Sequence, residues 1–274
     1  MKKNTLYTIF GAKGFFGTNL KKYLIDSNKK IFLPPKKKYI FKKNLGNVIF
    51  CIGTHEALKK PSKALESNLA ILSKVLLNNK FKTFTYLSSI RTYSSNKIGI
   101  ENKKILFDSK EEGVFFKALK LSAESLCLQI KNPKIKIIRL SNLFGDNFNN
   151  HKYLLPTLIR NSLFSKKIQI VIHKNSKKNY LHVDDAIKII LSIINKGKER
   201  IYNVGSNKSI SVGQMAQLIK KYTGCKIVFK KNVKVKNEPI TNINKIKKEF
   251  NFSPKKLFEN EIKMIIKNYK NEYN

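Results

Sequence analysis

The sequence predicts an α/β fold: a doubly wound parallel sheet with helices on both faces, joined to a smaller, partly interleaved C-terminal α/β lobe. Three observations predict it. Short β-rich apolar runs alternate with segments of helical spacing through the first half of the chain. Gly11, Gly14 and Gly17 stand between the first such run and the first helical segment. Residues 47–52 are almost continuously apolar, as a strand buried on both faces requires.

The elements follow in order. Residues 5–10 form a β-rich run and 15–26 a helix. Residues 31–33 make a short strand that ends at Pro34 and Pro35. The stretch from there to Val48 is short, so one crossover helix is missing. Residues 61–79 are helical, with Ala64, Leu65, Leu69, Leu72, Val75 and Leu76 on one side. Strands are expected at 82–88 and 134–140, with a long helix over 113–130 between them. After Gly145 the rhythm loosens. Strands are expected at 168–172, 180–183, 201–204 and 227–229, and helices at 212–222 and 257–269. This places a sheet domain over 1–145, with 180–205 returning to it, and a smaller lobe over 146–274.

With 274 residues, 42% of them hydrophobic, the chain can bury a proper core. No apolar run approaches the ~20 residues of a membrane span. Cys51, Cys127 and Cys225 are odd in number and widely spaced. They read as reduced thiols of a cytoplasmic protein, and no metal-ligand spacing is visible. The net charge of +39 invites an RNA-binding reading. However, only Arg91, Arg139, Arg160 and Arg200 are arginine, so 52 of the 56 basic side chains are lysine. Nucleic-acid readers use arginine for bidentate contacts. These lysines are spread along the chain together with abundant Asn and Ile, as an A/T-rich coding bias produces. Nucleic acid is therefore not the expected partner.

The motif Gly11-Ala12-Lys13-Gly14-Phe15-Phe16-Gly17 follows a strand and opens a helix, the context in which glycines let a dinucleotide pyrophosphate reach a helix N-terminus. Further motifs follow in order. The run 48–53 carries Cys51 and ends in Gly53. Ser88 and Ser89 close the next strand, with Arg91, Thr92 and Tyr93 behind them. Phe116 and Lys120 lie four residues apart on a helix, on one face. Arg139, Ser141, Asn142 and Gly145 close another strand, and Lys178 precedes the run Tyr180, His182, Asp184, Asp185.

Taken together, these motifs resemble the extended short-chain dehydrogenase/reductase family, in its NAD-dependent epimerase/dehydratase branch acting on nucleotide sugars. The resemblance runs over nearly the whole chain. It implies a Rossmann-type domain that binds NAD or NADP, with Gly11, Lys13, Gly14, Phe15, Phe16, Gly17, Cys51, Gly53, Ser88 and Lys120 at the cofactor. It implies a nucleoside-diphosphate sugar held by Ser89, Asn142 and Lys178. It also implies a homodimer built on helices 61–79 and 113–130, and a role in surface-polysaccharide sugar synthesis as an epimerase or keto-sugar reductase.

Three departures stand beside the matches. The second strand ends without the carboxylate that holds the adenosine ribose of NAD; Lys36, Lys37 and Lys38 follow it and lean toward NADP. Ile90 and Arg91 occupy the positions of the acid–base pair of 4,6-dehydratases, which disfavours dehydration. The family's tyrosine acid/base, four residues before the lysine, is Phe116 here, 27 residues after Ser89. Either Tyr93 or a water carries the proton instead, or the chain binds cofactor with impaired chemistry as a sensor or partner subunit. Arg139 reads as structural, and His182 with Asp184 as a helix cap.

Overall fold

The computed structural model describes residues 5–54, 56–146 and 153–271. Its centre is a six-stranded sheet, parallel throughout. The strands are β1 (Leu6–Phe10), β2 (Lys30–Phe32), β3 (Asn47–Phe50), β4 (Thr83–Ser89), β6 (Ile135–Leu140) and β10 (Ile201–Val204), in spatial order β10-β6-β4-β3-β1-β2. The short strand β5 (Ile98–Gly99) lies outside it. The order reverses direction between β1 and β3, the switch point at which open α/β sheets bind ligands beyond their strand ends.

The apolar run at 47–52 has a direct cause. Val48 and Phe50 enter the core under the helices α3 (Ile71–Leu77) and α4 (Val114–Gln129), while Ile49 enters the core under α1 (Phe15–Asp26) and α6 (Val183–Lys196). Both faces of the strand are covered, so no polar alternation survives. The segment 33–46 holds no helix or strand, which leaves β2 at the sheet edge. Phe41 and Tyr39 from this segment pack on the core in the helix's place, and Asn79 pins it by bonding Phe41 N (2.8 Å) and Tyr39 O (2.8 Å).

The helix expected over 61–79 is not uniform. It is α2 (Pro61–Leu65), a π-helical turn at Glu66–Ala70, then α3. Asn68 sits in the wide turn and donates to Ala64 O (3.0 Å) and Thr54 O (3.0 Å). Such a bulge stores one extra residue in a helix and re-aims its side chains.

The remaining strands are small. β7 (Asn142–Phe144), β9 (Lys177–His182) and β11 (Ser209–Ser211) form a three-stranded sheet. β8 (Lys167–Ile170) pairs with β12 (Lys226–Phe229), and β5 pairs with β13 (Ile240–Thr241). With α5 (Leu154–Phe164), α7 (Val212–Thr223) and α9 (Phe258–Asn271), all of these except the β5–β13 pair surround a separate apolar core that includes Ile168, Met215 and Ile262. The helices α5 and α8 (Asn244–Phe250) had no counterpart in the expected elements. The chain re-enters the central sheet with β10 and covers it with α6, whereas β9 stays in the small sheet. Among the described residues, no helix is long and apolar enough to cross a membrane.

Candidate active site

The glycine loop opens the cleft, and its three glycines have different reasons to be glycine. Gly11 has φ +91°, and a Cβ there would lie 2.9 Å from the backbone of Cys51. At Gly17 a Cβ would meet Gly11 O at 2.3 Å, so this glycine lets α1 pack on the turn. Gly14 is different: it is extended, it is the N-cap of α1, and the nearest atom to an added Cβ would be 3.5 Å away. It lines the cleft with Phe15, Phe16 and Gly17, and no side chain caps α1. The helix N–H groups there suit an anion. Gly11 and Lys13 do not line the cleft; Lys13 is exposed beside it.

The cleft encloses about 370 Å³. Cys51, Ile52, Gly53 and Thr54 form its floor beyond β3, with Asn68 behind them. A Cβ on Gly53 would lie 2.7 Å from Asn68 Oδ1 and 3.4 Å from Lys120 Nζ. Asn68 is fully buried, and its Oδ1 has no hydrogen-bond partner. Sequence reasoning missed Asn68; a carboxamide among Ala64, Leu65, Leu69 and Leu72 was the available signal. Burial pushes the Cys51 thiol pKa up, against the opposing effect of Lys120.

A second wall of the cleft comes from β4 and α4. Ser88, Ser89, Phe116 and Lys120 all line the cleft. Ser89 also caps the turn after β4, accepting from Arg91 N (3.2 Å). Lys120 is buried and donates to Leu87 O (3.1 Å), with its ammonium 5.0 Å from the Tyr86 ring centroid and 5.8 Å from that of Phe116. Burial lowers its pKa to about 8, and Glu124 and Cys51 oppose the shift. Phe116 is half-buried, with Arg91 6.0 Å from its centroid on the exposed side. Ser88 donates to Glu124 Oε1 at 2.5 Å, and Glu124 is in turn held by Arg139.

Tyr93 corrects an expectation. It is 1% exposed and does not line the cleft. Its hydroxyl donates to Asn203 Oδ1 (3.0 Å) and accepts from Arg139 Nη1 (2.5 Å). Burial raises its pKa. A hydroxyl committed on both sides inside the core cannot stand in for the family's acid/base.

The far wall is built by Leu140, Ser141, Asn142, Leu143, Tyr153, Lys178 and Tyr180. Asn142 donates to Asn179 O (3.0 Å) and to Glu238 Oε2 (2.7 Å). Lys178 lies 3.5 Å from Glu238 Oε1. Glu238 was invisible to the sequence reading because no motif surrounds it. His182 is a helix cap, accepting from Asp184 N (3.2 Å). Among the described residues, no group of three or more His, Cys, Asp or Glu could hold a metal ion. The end of β2 carries no carboxylate. Lys43 Nζ lies 3.6 Å from the Phe32 ring centroid there, and Lys38 lies 5.5 Å from that of Phe41.

The comparisons with known proteins agree with this fold. A Tyr-to-Phe mutant of UDP-glucuronic acid 4-epimerase from Bacillus cereus, solved with NAD and a UDP-sugar, superposes with a TM-score of 0.84 at 17% identity, covering 98% of this chain and 100% of that one. A GDP-6-OMe-4-keto-L-xylo-heptose reductase from C. jejuni gives 0.81 at 18% identity, with 99% of each chain covered. RMD from Pseudomonas aeruginosa, solved with NADPH, gives 0.79 at 19% identity, covering 97% and 100%. At these identities the likeness concerns the fold. The family itself is given by residues 38–205, more than half of the chain, which match the model of the NAD dependent epimerase/dehydratase family. The chain therefore belongs to the NAD-dependent epimerase/dehydratase family.

Proposed function

We propose that the chain is an NAD(P)-dependent enzyme of nucleotide-sugar metabolism, an epimerase or keto-sugar reductase. The observation that carries this reading is that one cleft collects Gly14–Gly17, Ser89, Phe116, Lys120, Asn142 and Lys178 from five separate elements. The cleft fits a dinucleotide: Gly14 lines it at a helix N-terminus that no side chain caps, and Asn68 Oδ1 is a buried acceptor without a donor. Gly14, Phe15, Phe16 and Gly17 would hold the pyrophosphate, and Cys51, Gly53, Asn68 and Lys120 the nicotinamide half. When bound, the cofactor supplies hydride transfer.

The chain's own residues supply positioning and proton handling. Ser89 holds a sugar hydroxyl, and Lys178 and Asn142 face the diphosphate. Phe116 packs but cannot move a proton. Lys120, titrating near 8, is the buried acid left beside Ser89 in the cleft. Dehydration is not supported: Ile90 is 1% exposed and apolar, and Arg91 is a cation. Lysines after β2 lean toward NADP. A homodimer through α2, α3 and α4 goes with this reading, and Leu65 and Leu77 are 48% and 56% exposed there.

A second reading is favoured by Phe116 together with the burial of Tyr93: a chain that binds cofactor and turns over slowly or not at all. One experiment separates the two. Purified protein is incubated with NAD, NADP and a panel of nucleotide sugars, and both bound cofactor and hydride transfer are followed. Retention with transfer supports the enzyme. Retention without transfer supports the second reading, and absence of both overturns the first.

A further inference from the structure

We propose that Glu238 is an internal anion seated in the diphosphate subsite, and that ligand binding requires the segment 236–239 to release it; this rests on the nucleotide-sugar reading. The Glu238 carboxylate accepts from Asn142 Nδ2 (2.7 Å) and Asn179 N (3.0 Å), and its other oxygen lies 3.5 Å from Lys178 Nζ. A side-chain amide, a backbone N–H and an ammonium converging on one anionic group are the donor set of a phosphate site. Two of these donors, Asn142 and Lys178, are the residues that the sequence assigns to the substrate.

Glu238 reaches them from a segment that is otherwise held at its margins. Its own N–H donates to Lys177 O (3.0 Å), Asn237 Oδ1 accepts from Lys177 N (2.8 Å), and Lys236 N donates to Ser176 Oγ (3.0 Å). Lys236 Nζ forms an exposed ion pair with Glu112 (3.0 Å), in the turn just before α4. The segment thus spans from β9 to the turn before α4. It forms part of the wall of the cleft and of an adjoining chamber of about 790 Å³, which share Arg91, Phe116, Lys178 and Glu238. Exposed ion pairs and loop hydrogen bonds are weak restraints. A diphosphate placed on Lys178 with Glu238 still present would bring like charges together with one ammonium between them, which is disfavoured. Exchange of one anion for another relieves this conflict. When Glu238 leaves, the cleft and the adjoining chamber join along their shared wall, giving the sugar a path to Phe116.

The test uses the whole protein and its Glu238→Gln variant, which keeps the shape and removes the charge. Inorganic pyrophosphate and UDP are titrated calorimetrically into both, and amide exchange is followed at Lys177, Asn179, Lys236 and Glu238. The expected result is pyrophosphate binding at least about tenfold tighter in Glu238→Gln. Faster exchange at Lys177, Lys236 and Glu238 is expected in the wild type at saturating pyrophosphate, while Asn179 N–H passes from Glu238 to the ligand and stays protected. Equal or weaker binding in Glu238→Gln overturns the proposal, because Glu238 would then assist the ligand or be irrelevant to it. Pyrophosphate that releases the segment while UDP, and likewise GDP and dTDP titrated in the same way, fail to bind keeps the latch and removes the nucleotide-sugar reading. UDP binding with unchanged exchange does the reverse. No binding of either ligand to either protein overturns the latch.

Discussion

Arg139 grips the Glu124 carboxylate through Nε at 3.1 Å and Nη2 at 2.6 Å, with side-chain exposures of 5% and 3%. The pair ties α4 to β6 behind the wall of the cleft that carries Ser89, Phe116 and Lys120. It also fixes Ser88, which bonds to the same carboxylate, and Tyr93, which bonds to the same guanidinium. Arg139, read from sequence as structural, is so placed.

A buried pair of this kind is costly to break and less costly to replace. Arg139→Leu or Glu124→Leu alone strands a buried charge and should lower stability by about 3–5 kcal/mol. The double variant should lose clearly less than the sum of the two. Urea unfolding of the three variants measures this, and strict additivity would show that the pair does not act as a unit.

The glycines of the loop should separate retention of cofactor from folding. Gly17→Ala forces a Cβ against Gly11 O and should destabilise by about 1–3 kcal/mol, the usual cost of overpacking. Gly14→Leu finds no such backbone contact. It should keep the melting temperature within a few degrees while cofactor binding disappears. Calorimetric titration of NAD and NADP beside thermal unfolding decides it; unchanged affinity in Gly14→Leu would remove the loop from the site.

What the sequence disclosed, and what it hid, follows from range. The glycine loop, the 47–52 strand and the Phe116/Lys120 pair are local patterns whose spacing already encodes a turn, a doubly buried strand and a helix face. Ser89, Asn142 and Lys178 came from motif order, and the cleft collects them. Glu238 contacts Asn142 and Asn179 across 96 and 59 residues, and no local pattern reports such a meeting. Asn68 was hidden by its helix: the 3.6-residue spacing runs on either side of it and gives no sign of a π turn. Tyr93 misled for the reverse reason, since proximity in sequence to Ser89 says nothing of the turn that sends it into the core. The two-residue pairing of β5 with β13 is below any periodicity.

Lys120 should make stability depend on alkaline pH. Burial lowers its pKa from 10.5 to about 8 in the folded chain, so between those values the unfolded chain holds more protons. Stability contributed by this group therefore rises as pH climbs from about 8 to about 10.5, and it is flat below that window. Lys120→Met lacks the group. The stability of wild type minus that of Lys120→Met, measured by urea unfolding at pH 7, 8, 9 and 10, should increase across the series. A difference that stays constant would mean that Lys120 keeps an ordinary pKa.

Phe116 carries the sharpest test of the chemistry. Its ring has two cations near it, with Lys120 Nζ 5.8 Å and the Arg91 guanidinium 6.0 Å from its centroid, and it lines the cleft with Ser89. A phenyl ring cannot itself move a proton; under the proposed function that task falls to Lys120 or water. General acid–base help is worth about 10²–10⁴ in rate. Phe116→Tyr adds a hydroxyl four residues before Lys120, whose ammonium favours the phenolate, and should raise hydride transfer to a suitable nucleotide sugar by at least about tenfold, below the usual range of such help because Lys120 already supplies part of it. KM should move little, since the ring itself is unchanged. Tyr93→Phe strips a hydroxyl that joins Arg139 to Asn203. It should cost about 1–3 kcal/mol of stability by stranding buried partners, while the pH profile of turnover stays in place. Steady-state kinetics across pH for both variants separate the outcomes. If Phe116→Tyr adds nothing and Tyr93→Phe abolishes turnover in a protein that remains folded, the proton passes through the core network and the role given to Lys120 falls.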